Sequence, residues 1–345
     1  MTSARPTIVD VAKLAGVAIS SASAALNDQK GVSTETRVRV REAADSLNYV
    51  PSLRGRSLSS KRAFSIGLIV ERDFTILEAD PFFSAFIGGV EESLAPHGYA
   101  LLLQIVDDEA LNVTRHVELV DSRRVDGIIL SELRADDARI PAFEARDTPV
   151  VGINPGQGFP FPAVHQDGGA AISALIVHLV ELGHTRIAHV SGPAGYVHSR
   201  ERLEAWKSAM LASGLSPDLI VESDFTHEGG LRAADSLLAD DSRPTAVFCA
   251  NDLMAIGFMN KAMELGYRVP EDISIAGFDG ISLGVYVRPT LTTIVTNPHL
   301  LGKEAARLLL EAIDGAEAGD AVIEPATFAP RGSSGRGAVP RTPRP

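Results

Sequence analysis

Thr7-Ile-Val-Asp-Val-Ala-Lys-Leu-Ala-Gly-Val17, followed at once by Ala18-Ile-Ser-Ser-Ala-Ser-Ala-Ala-Leu26, is the stretch on which the reading of this chain turns. Thr7 has the form of an N-cap, and the acidic Asp10 three residues on favours a helix start. The helix places Val11, Ala12 and Ala15 on one face and stops at Gly16. A turn of three or four residues then leads into a second helix over Ala18 to Leu26, which is the spacing of a helix-turn-helix. In such a unit the second helix enters the major groove and its first side chains reach base edges, which singles out Ile19, Ser20 and Ser21, with Ala24 one turn later. Val32-Ser33 caps a third helix whose Val40, Ala43, Ala44 and Leu47 close a small core. Spacing alone also fits a three-helix module that binds protein.

Working outward, 345 residues suit a large body with a small appendage. The net charge of −12 divides unevenly. Residues 1–62 carry +5 and the remainder −17. A basic head on an acidic body suits a duplex bound at one end, because phosphate contacts need cations only where the duplex lies. No apolar run approaches the roughly 18 residues of a membrane span. The first residues lack a signal-peptide pattern, so a cytoplasmic location is expected. The single cysteine, Cys249, lies in the apolar run Ala-Val-Phe-Cys-Ala and is read as core.

From residue 66 onward short apolar runs alternate with helical patterns, the signature of a parallel sheet flanked by helices. The expected strands are Ile66 to Val70, Tyr99 to Val106, Val125 to Leu130, Pro149 to Ile153, Arg186 to Ser191, Ala246 to Ala250, Ser274 to Phe278 and Leu291 to Thr296. One intervening helix carries Leu203, Trp206, Met210 and Leu211 as an apolar stripe and is closed by Gly214. The strands form two βα series that divide near residue 163, giving two lobes with a cleft. Ligands in such sheets bind beyond the carboxyl ends of the strands. The expected domains are a DNA-binding head over 1–50, a hinge over 51–62, a two-lobed body over 63–330 and a disordered tail over 331–345, where apolar residues are nearly absent.

Further motifs carry a family resemblance. Gly31-Val-Ser-Thr-Glu-Thr-Arg37, Leu47-Asn-Tyr-Val-Pro51, Asp80-Pro-Phe-Phe83, Arg123-Arg-Val-Asp-Gly-Ile-Ile129, Ala250-Asn-Asp-Leu-Met254, Gly277-Phe-Asp279 and Leu291-Thr-Thr-Ile294 follow the opening stretch in order. Together, over about residues 7–330, they resemble the lactose-repressor/galactose-repressor family. The resemblance implies an all-α helix-turn-helix head plus an α/β two-lobed periplasmic-binding-protein-like (type I) effector domain. It also implies a homodimer on a palindromic double-stranded DNA operator, released by a small-molecule effector, a mono- or oligosaccharide. A purine-like corepressor that tightens DNA binding, and a stand-alone sugar-binding protein, are the alternatives.

Carried over by position, the family's phosphate contacts fall on Thr7, Ser23, Asn27, Ser33, Thr36 and Tyr49, and its base contacts on Ile19 and Ser20. Leu58 matches a hinge leucine that wedges into the minor groove, and Arg54 and Arg56 beside it suit phosphates. Effector contacts fall on Asp80, Phe82, Arg202, Phe225, Asn251 and Asp279. Three departures stand out: Ala18 and Ala24 occupy positions where relatives carry polar residues, and Gly55 replaces a hinge alanine, which weakens a helix by about 0.8–1.0 kcal/mol. The loop Glu71 to Asp80 is also longer than in relatives.

Catalysis finds little support. There is no Gly-x-Ser-x-Gly elbow, no Gly-x-x-x-x-Gly-Lys loop and no His-Glu-x-x-His pair. His178, His184 and His189 are too loosely spaced for a metal site and are read as structural, so neither metal nor cofactor is expected. Trp206 is read as core.

Overall fold

The computed structural model describes residues 6–27, 31–50, 55, 57, 60–74, 76–239 and 242–337. The chain divides into two compact units, residues 1–64 and 65–345. The head contains α1 (Ile8–Ala15), α2 (Ile19–Leu26) and α3 (Thr34–Ser46). Its core is Val11, Ala12, Ala15, Ala22, Ala25, Val40, Ala43 and Ala44, with Leu47 and Tyr49 packed against it. Small alanines at the contacts let three short helices approach closely. The Asp10 carboxylate accepts from both the Thr7 amide (2.8 Å) and the Thr7 hydroxyl (2.7 Å), and these bonds hold the carboxyl below its usual range. Gly16 ends α1 at φ 64°, in the left-handed region where a Cβ is penalised. Ser33 caps α3 by accepting from the Thr36 amide at 3.2 Å. Arg54, Arg56 and Leu58, the expected hinge contacts, lie outside the described residues.

The body holds two six-stranded sheets. Its strands are β1 (Ser65–Glu71), β2 (Ala100–Val106), β3 (Gly127–Leu130), β4 (Val150–Ile153), β5 (Ala163–His165), β6 (Ile187–Ser191), β7 (Ile220–Glu222), β8 (Ala246–Cys249), β9 (Ser274–Asp279), β10 (Thr292–Val295), β11 (Ala321–Val322) and β12 (Thr327–Ala329). The first sheet runs β11-β5-β4-β3-β1-β2 and the second β12-β10-β9-β8-β6-β7. All pairs are parallel except β10 with β12, where Thr293 faces Ala329. The inner strands are buried along their length, as a sheet covered by helices on both faces requires.

The expectation of one lobe on each side of residue 163 needs correcting. After β10 the chain returns to the first lobe, where the helix Pro298–Ile313 packs on the helix Pro81–Leu94 and behind β3, β4 and β5. It then adds β11 to the first sheet before crossing again to add β12 to the second. The helix crossing demands glycine: a Cβ on Gly89 would run into the His299 carbonyl, and one on Gly302 into that of Phe86.

Two smaller expectations also fail. Leu211, read as part of an apolar stripe, is 64% exposed, whereas Trp206 and Met210 are fully buried. The expected disordered tail is not one over 331–337. Ser333 is fully buried; its hydroxyl donates to the Ile275 carbonyl (2.6 Å) and accepts from the Thr292 amide (2.8 Å). The Gly335 carbonyl lies 3.0 Å from His184 Nε2, and the Gly337 amide donates to the Leu182 carbonyl. Backbone and hydroxyl groups tie this segment down, so its lack of apolar side chains does not free it. Residues 338–345 lie outside those described.

His184 is buried between Thr245 and Ser274, and His189 is stacked between Trp206 and Phe248 at centroid distances of 5.4 and 4.9 Å. Burial lowers the pKa of His189 to about 3, so it is a neutral core group. Cys249 is fully buried and free.

Candidate functional site: a cavity at the strand ends

The carboxyl ends of β1, β3, β4, β5, β8, β9 and β10 converge on one cavity of about 610 Å³. All six residues assigned to effector binding line it: Asp80, Phe82, Arg202, Phe225, Asn251 and Asp279. Asp279 ends β9 and is 8% exposed, with its Oδ1 3.5 Å from Nη2 of Arg202. Burial pushes its carboxyl well above the ordinary value, and the Arg202 guanidinium opposes the rise. Arg202, on the helix Val197–Ala212, donates through Nη1 to the Ala250 carbonyl at 2.5 Å. Its guanidinium carbon lies 3.8 Å from the Phe278 ring centroid, a cation–π contact.

Asp80 caps the helix Pro81–Leu94, with Oδ1 accepting from the Phe82 amide at 3.0 Å. Its carboxyl is raised by burial. Phe82 stacks parallel to Phe86 at 6.5 Å and meets Phe83 edge-on. Phe225 holds a φ of 67° and stacks on His198 at 5.3 Å. Glycine at 192 is what admits the Phe225 ring, because a Cβ there would occupy the ring's own place.

Asn251 behaves differently from the direct contact expected of it. Its Oδ1 accepts from the Met254 amide at 2.9 Å and its Nδ2 donates to the Phe225 carbonyl at 2.8 Å. Its amide therefore braces the strained Phe225 turn while capping the next helix. Behind Asp279, the fully buried Asp252 accepts from the Ile281 amide (2.8 Å) and the Thr293 hydroxyl (2.5 Å). This pins the turn in which Asp279 adopts a φ of 114°. Four cavity residues, Glu132, Asn154, Phe225 and Asp279, are non-glycine residues at positive φ. Such strain gathers where surrounding structure over-determines a site, as at ligand clamps.

Sequence reasoning missed a second group that joins the lobes. Arg72, just beyond β1, donates to the Tyr196 hydroxyl at 2.6 Å, is ion-paired with Glu132 and lies 4.6 Å from the Tyr196 ring centroid. Arg134 lies 4.9 Å from the same ring and pairs with Glu71 at 2.6 Å. His198 stacks on Tyr196 at 5.4 Å; burial drives its pKa well down and leaves it neutral. The signal that could have found Arg72 is its position, two residues past the expected strand Ile66 to Val70.

In the head, Ile19 is 50% exposed and Ser20 is exposed at the start of α2, with Ser21 and Ser23 half-buried beside them. Asn27 Nδ2 donates to the Ser23 carbonyl at 2.9 Å, and the Ser33 hydroxyl donates to that of Thr36 at 2.9 Å. Thr7 and Ser33 are exposed at the starts of α1 and α3, while Tyr49 is half-buried on the head's core. Among the described residues no single helix is long and apolar enough to cross a membrane.

Comparison with known proteins places both units. Residues 7–52 match the family described as bacterial regulatory proteins, lacI family, and residues 176–334 match the periplasmic binding protein-like domain. The HTH-type transcriptional repressor PurR of Aliivibrio fischeri (strain ATCC 700601 / ES114) is 35% identical over 313 residues, 89% of this chain and 91% of that protein. That of Pasteurella multocida (strain Pm70) is 36% identical over 323 residues, 92% and 95% of the two chains. Among solved structures, a transcriptional regulator CelR–cellobiose complex is 31% identical with a TM-score of 0.73, covering 95% of this chain and all of that one. A lac repressor dimer bound to operator and the anti-inducer ONPF is 27% identical with a TM-score of 0.82, covering 96% and 100%. A helix-turn-helix head, a two-sheet body with a cavity at its strand ends and relatives matched across nine-tenths of the chain lead to one assignment: the chain belongs to the lacI family of bacterial regulatory proteins and is a DNA-binding transcriptional repressor.

Proposed function

We propose that the effector is a carbohydrate, bound in the cavity at the strand ends, and that the regulated genes serve carbohydrate use. The observation that carries this reading is the pairing of Asp279 with Arg202 over Phe278, opposite Asp80 and Phe82. Carboxylates accept from pairs of sugar hydroxyls, guanidinium donates to them, and aromatic faces cover C–H patches. A regulator 31% identical to this chain is described in complex with cellobiose, which supports the same class. Two copies act as a dimer on a near-palindromic operator. Ile19, Ser20 and Ser21 read base edges, while Thr7, Ser23, Asn27, Ser33, Thr36 and Tyr49 meet phosphates. Arg56 adds a phosphate contact in the hinge, and Leu58 wedges into the minor groove.

Effector binding changes the relation of the two lobes, and this releases the operator, provided the effector binds the two states with different affinity. The Arg72–Tyr196 contact between lobes is the place where such a change is felt first. A second reading, a purine-like corepressor that tightens DNA binding, is favoured by the curated relatives named PurR. Calorimetric titration of the full-length protein with a panel of mono- and disaccharides and with hypoxanthine separates the two. Saturable binding of a sugar supports the carbohydrate reading; binding of hypoxanthine alone replaces it with the second.

A further inference from the structure

The charge pattern of the cavity narrows the effector further, resting on the reading that the effector is a carbohydrate. Among the described lining residues, guanidinium or ammonium groups come only from Arg72 and Arg202. Both are engaged within the protein. Arg72 is held by the Tyr196 hydroxyl at 2.6 Å and by the Glu132 carboxylate. Arg202 is held by the Ala250 carbonyl at 2.5 Å, with Asp279 beside it at 3.5 Å. Around these two cations stand the carboxyl groups of Asp80, Glu132, Asp167, Glu201, Glu204 and Asp279, with burial favouring the proton on Asp80, Glu132, Glu201 and most strongly Asp279.

A free helix N-terminus is the other common receptor for an anion. Of the helices that begin at the cavity wall, Pro81–Leu94, Asp252–Glu264 and Pro298–Ile313 each carry a side-chain N-cap, while Gly169–Glu181 and Val197–Ala212 have none at the N-cap position. Asp80 accepts from the Phe82 amide at 3.0 Å, Asp167 from the Gly169 amide at 2.9 Å, and Asn251 from the Met254 amide at 2.9 Å. Asp80 as an N-cap and Asp167 beside the first amide of Gly169–Glu181 are carboxylates, which offset the positive ends of those two helix dipoles where a ligand anion would otherwise gain from them. His198, half-buried and stacked between Tyr196 and Phe225, has its pKa driven well down by desolvation and adds no positive charge. Arg202 Nη2 stands 3.5 Å from Asp279 Oδ1, and among the described residues no shorter side-chain donor meets that carboxyl group.

We propose that the cavity takes an uncharged saccharide and rejects sugar phosphates and sugar acids, with Asp80 and Asp167 setting the rejection. The volume of about 610 Å³ sits within the roughly 300–1,000 Å³ of sites that enclose small molecules. A charged ring is therefore refused for its charge rather than its size. One added negative charge at contact range of these carboxylates, in surroundings less polar than water, weakens binding by about tenfold or more.

The test is calorimetry on the full-length protein with matched pairs: glucose and glucose 6-phosphate, maltose and maltose 6-phosphate, trehalose and trehalose 6-phosphate, and glucose and gluconate, with hypoxanthine alongside. In any pair that binds, the neutral member is expected to bind at least about tenfold more tightly, with the part of that lead that comes from the exposed Asp167 shrinking as salt is raised and the part from the buried Asp80 persisting. Asp80→Asn and Asp167→Asn are each expected to narrow the ratio within the pair severalfold. Equal or tighter binding of the phosphorylated member, or a ratio that neither variant moves, overturns the proposal while leaving the carbohydrate reading intact. A panel in which no sugar binds, with or without binding of hypoxanthine, overturns the carbohydrate reading and this proposal with it.

Discussion

Replacing Asp252 by asparagine should stabilise the second lobe at neutral pH, although Asp252 is one of the most completely buried polar groups in the chain. Burial raises its carboxyl from 3.8 to about 7, and the bonds from Thr293 and Ile281 offset only part of that rise. The folded state thus holds the proton more tightly than the unfolded chain. The stability that Asp252 contributes is full below about pH 4 and is lost as pH rises toward 7. A gap of about three pH units, at about 1.4 kcal/mol each, puts the loss at up to about 4 kcal/mol.

Asparagine keeps the shape and remains neutral. Its oxygen can accept from the Ile281 amide and its amide can donate to the Thr293 hydroxyl. Guanidinium unfolding of parent and Asp252→Asn between pH 4 and 8, followed by the fluorescence of Trp206, the chain's only tryptophan and buried in the same lobe, measures the difference. The two proteins should be close at pH 4, and the variant should gain steadily to a plateau above pH 7. A difference that does not change with pH, or a variant that falls behind as pH rises, refutes the reasoning.

Asp279→Ala should weaken effector binding by about tenfold or more, since a hydrogen bond to a charged group is worth roughly 1.5–3 kcal/mol, while operator affinity without effector stays unchanged. Parallel loss of both activities counts against the cavity assignment. Gly302→Ala forces a methyl against the Phe86 carbonyl at the helix crossing, and a cost of about 1–3 kcal/mol should appear as a lower Tm. Asp10→Ala removes the carboxylate that Thr7 donates to and should loosen the start of α1, read as faster amide exchange over Ile8–Ala15. Leu58→Ala should reduce operator bending and specific affinity while sparing non-specific binding; an unchanged bend speaks against the wedge.

The head was legible in the sequence because its signals are local. Thr7 with Asp10, Gly16 and Ser33 each act within four residues of where they stand, and the structure places α1 to α3 between them. The eight expected strands are all present for a related reason: each is a largely apolar run, and all but the half-exposed edge strand β2 are buried along most of their length. The short strands β5, β7, β11 and β12 were missed, since two or three residues carry no period to detect. Nothing local says that Pro298–Ile313 returns to the first lobe, because that follows from close packing at Gly89 and Gly302 across more than two hundred residues. The six effector residues came from resemblance and gather in one cavity. Arg72, Glu132 and Tyr196 did not, because their meaning lies in one another, across lobes.

The most direct test of the account is the affinity of the full-length protein for a selected palindromic DNA site, followed by fluorescence anisotropy as neutral saccharides are titrated in. Tight, sequence-dependent binding that one saccharide releases is the predicted result. Absence of sequence preference contradicts the assignment of the head, and specific binding that tightens with a purine base and ignores every sugar contradicts the proposed effector.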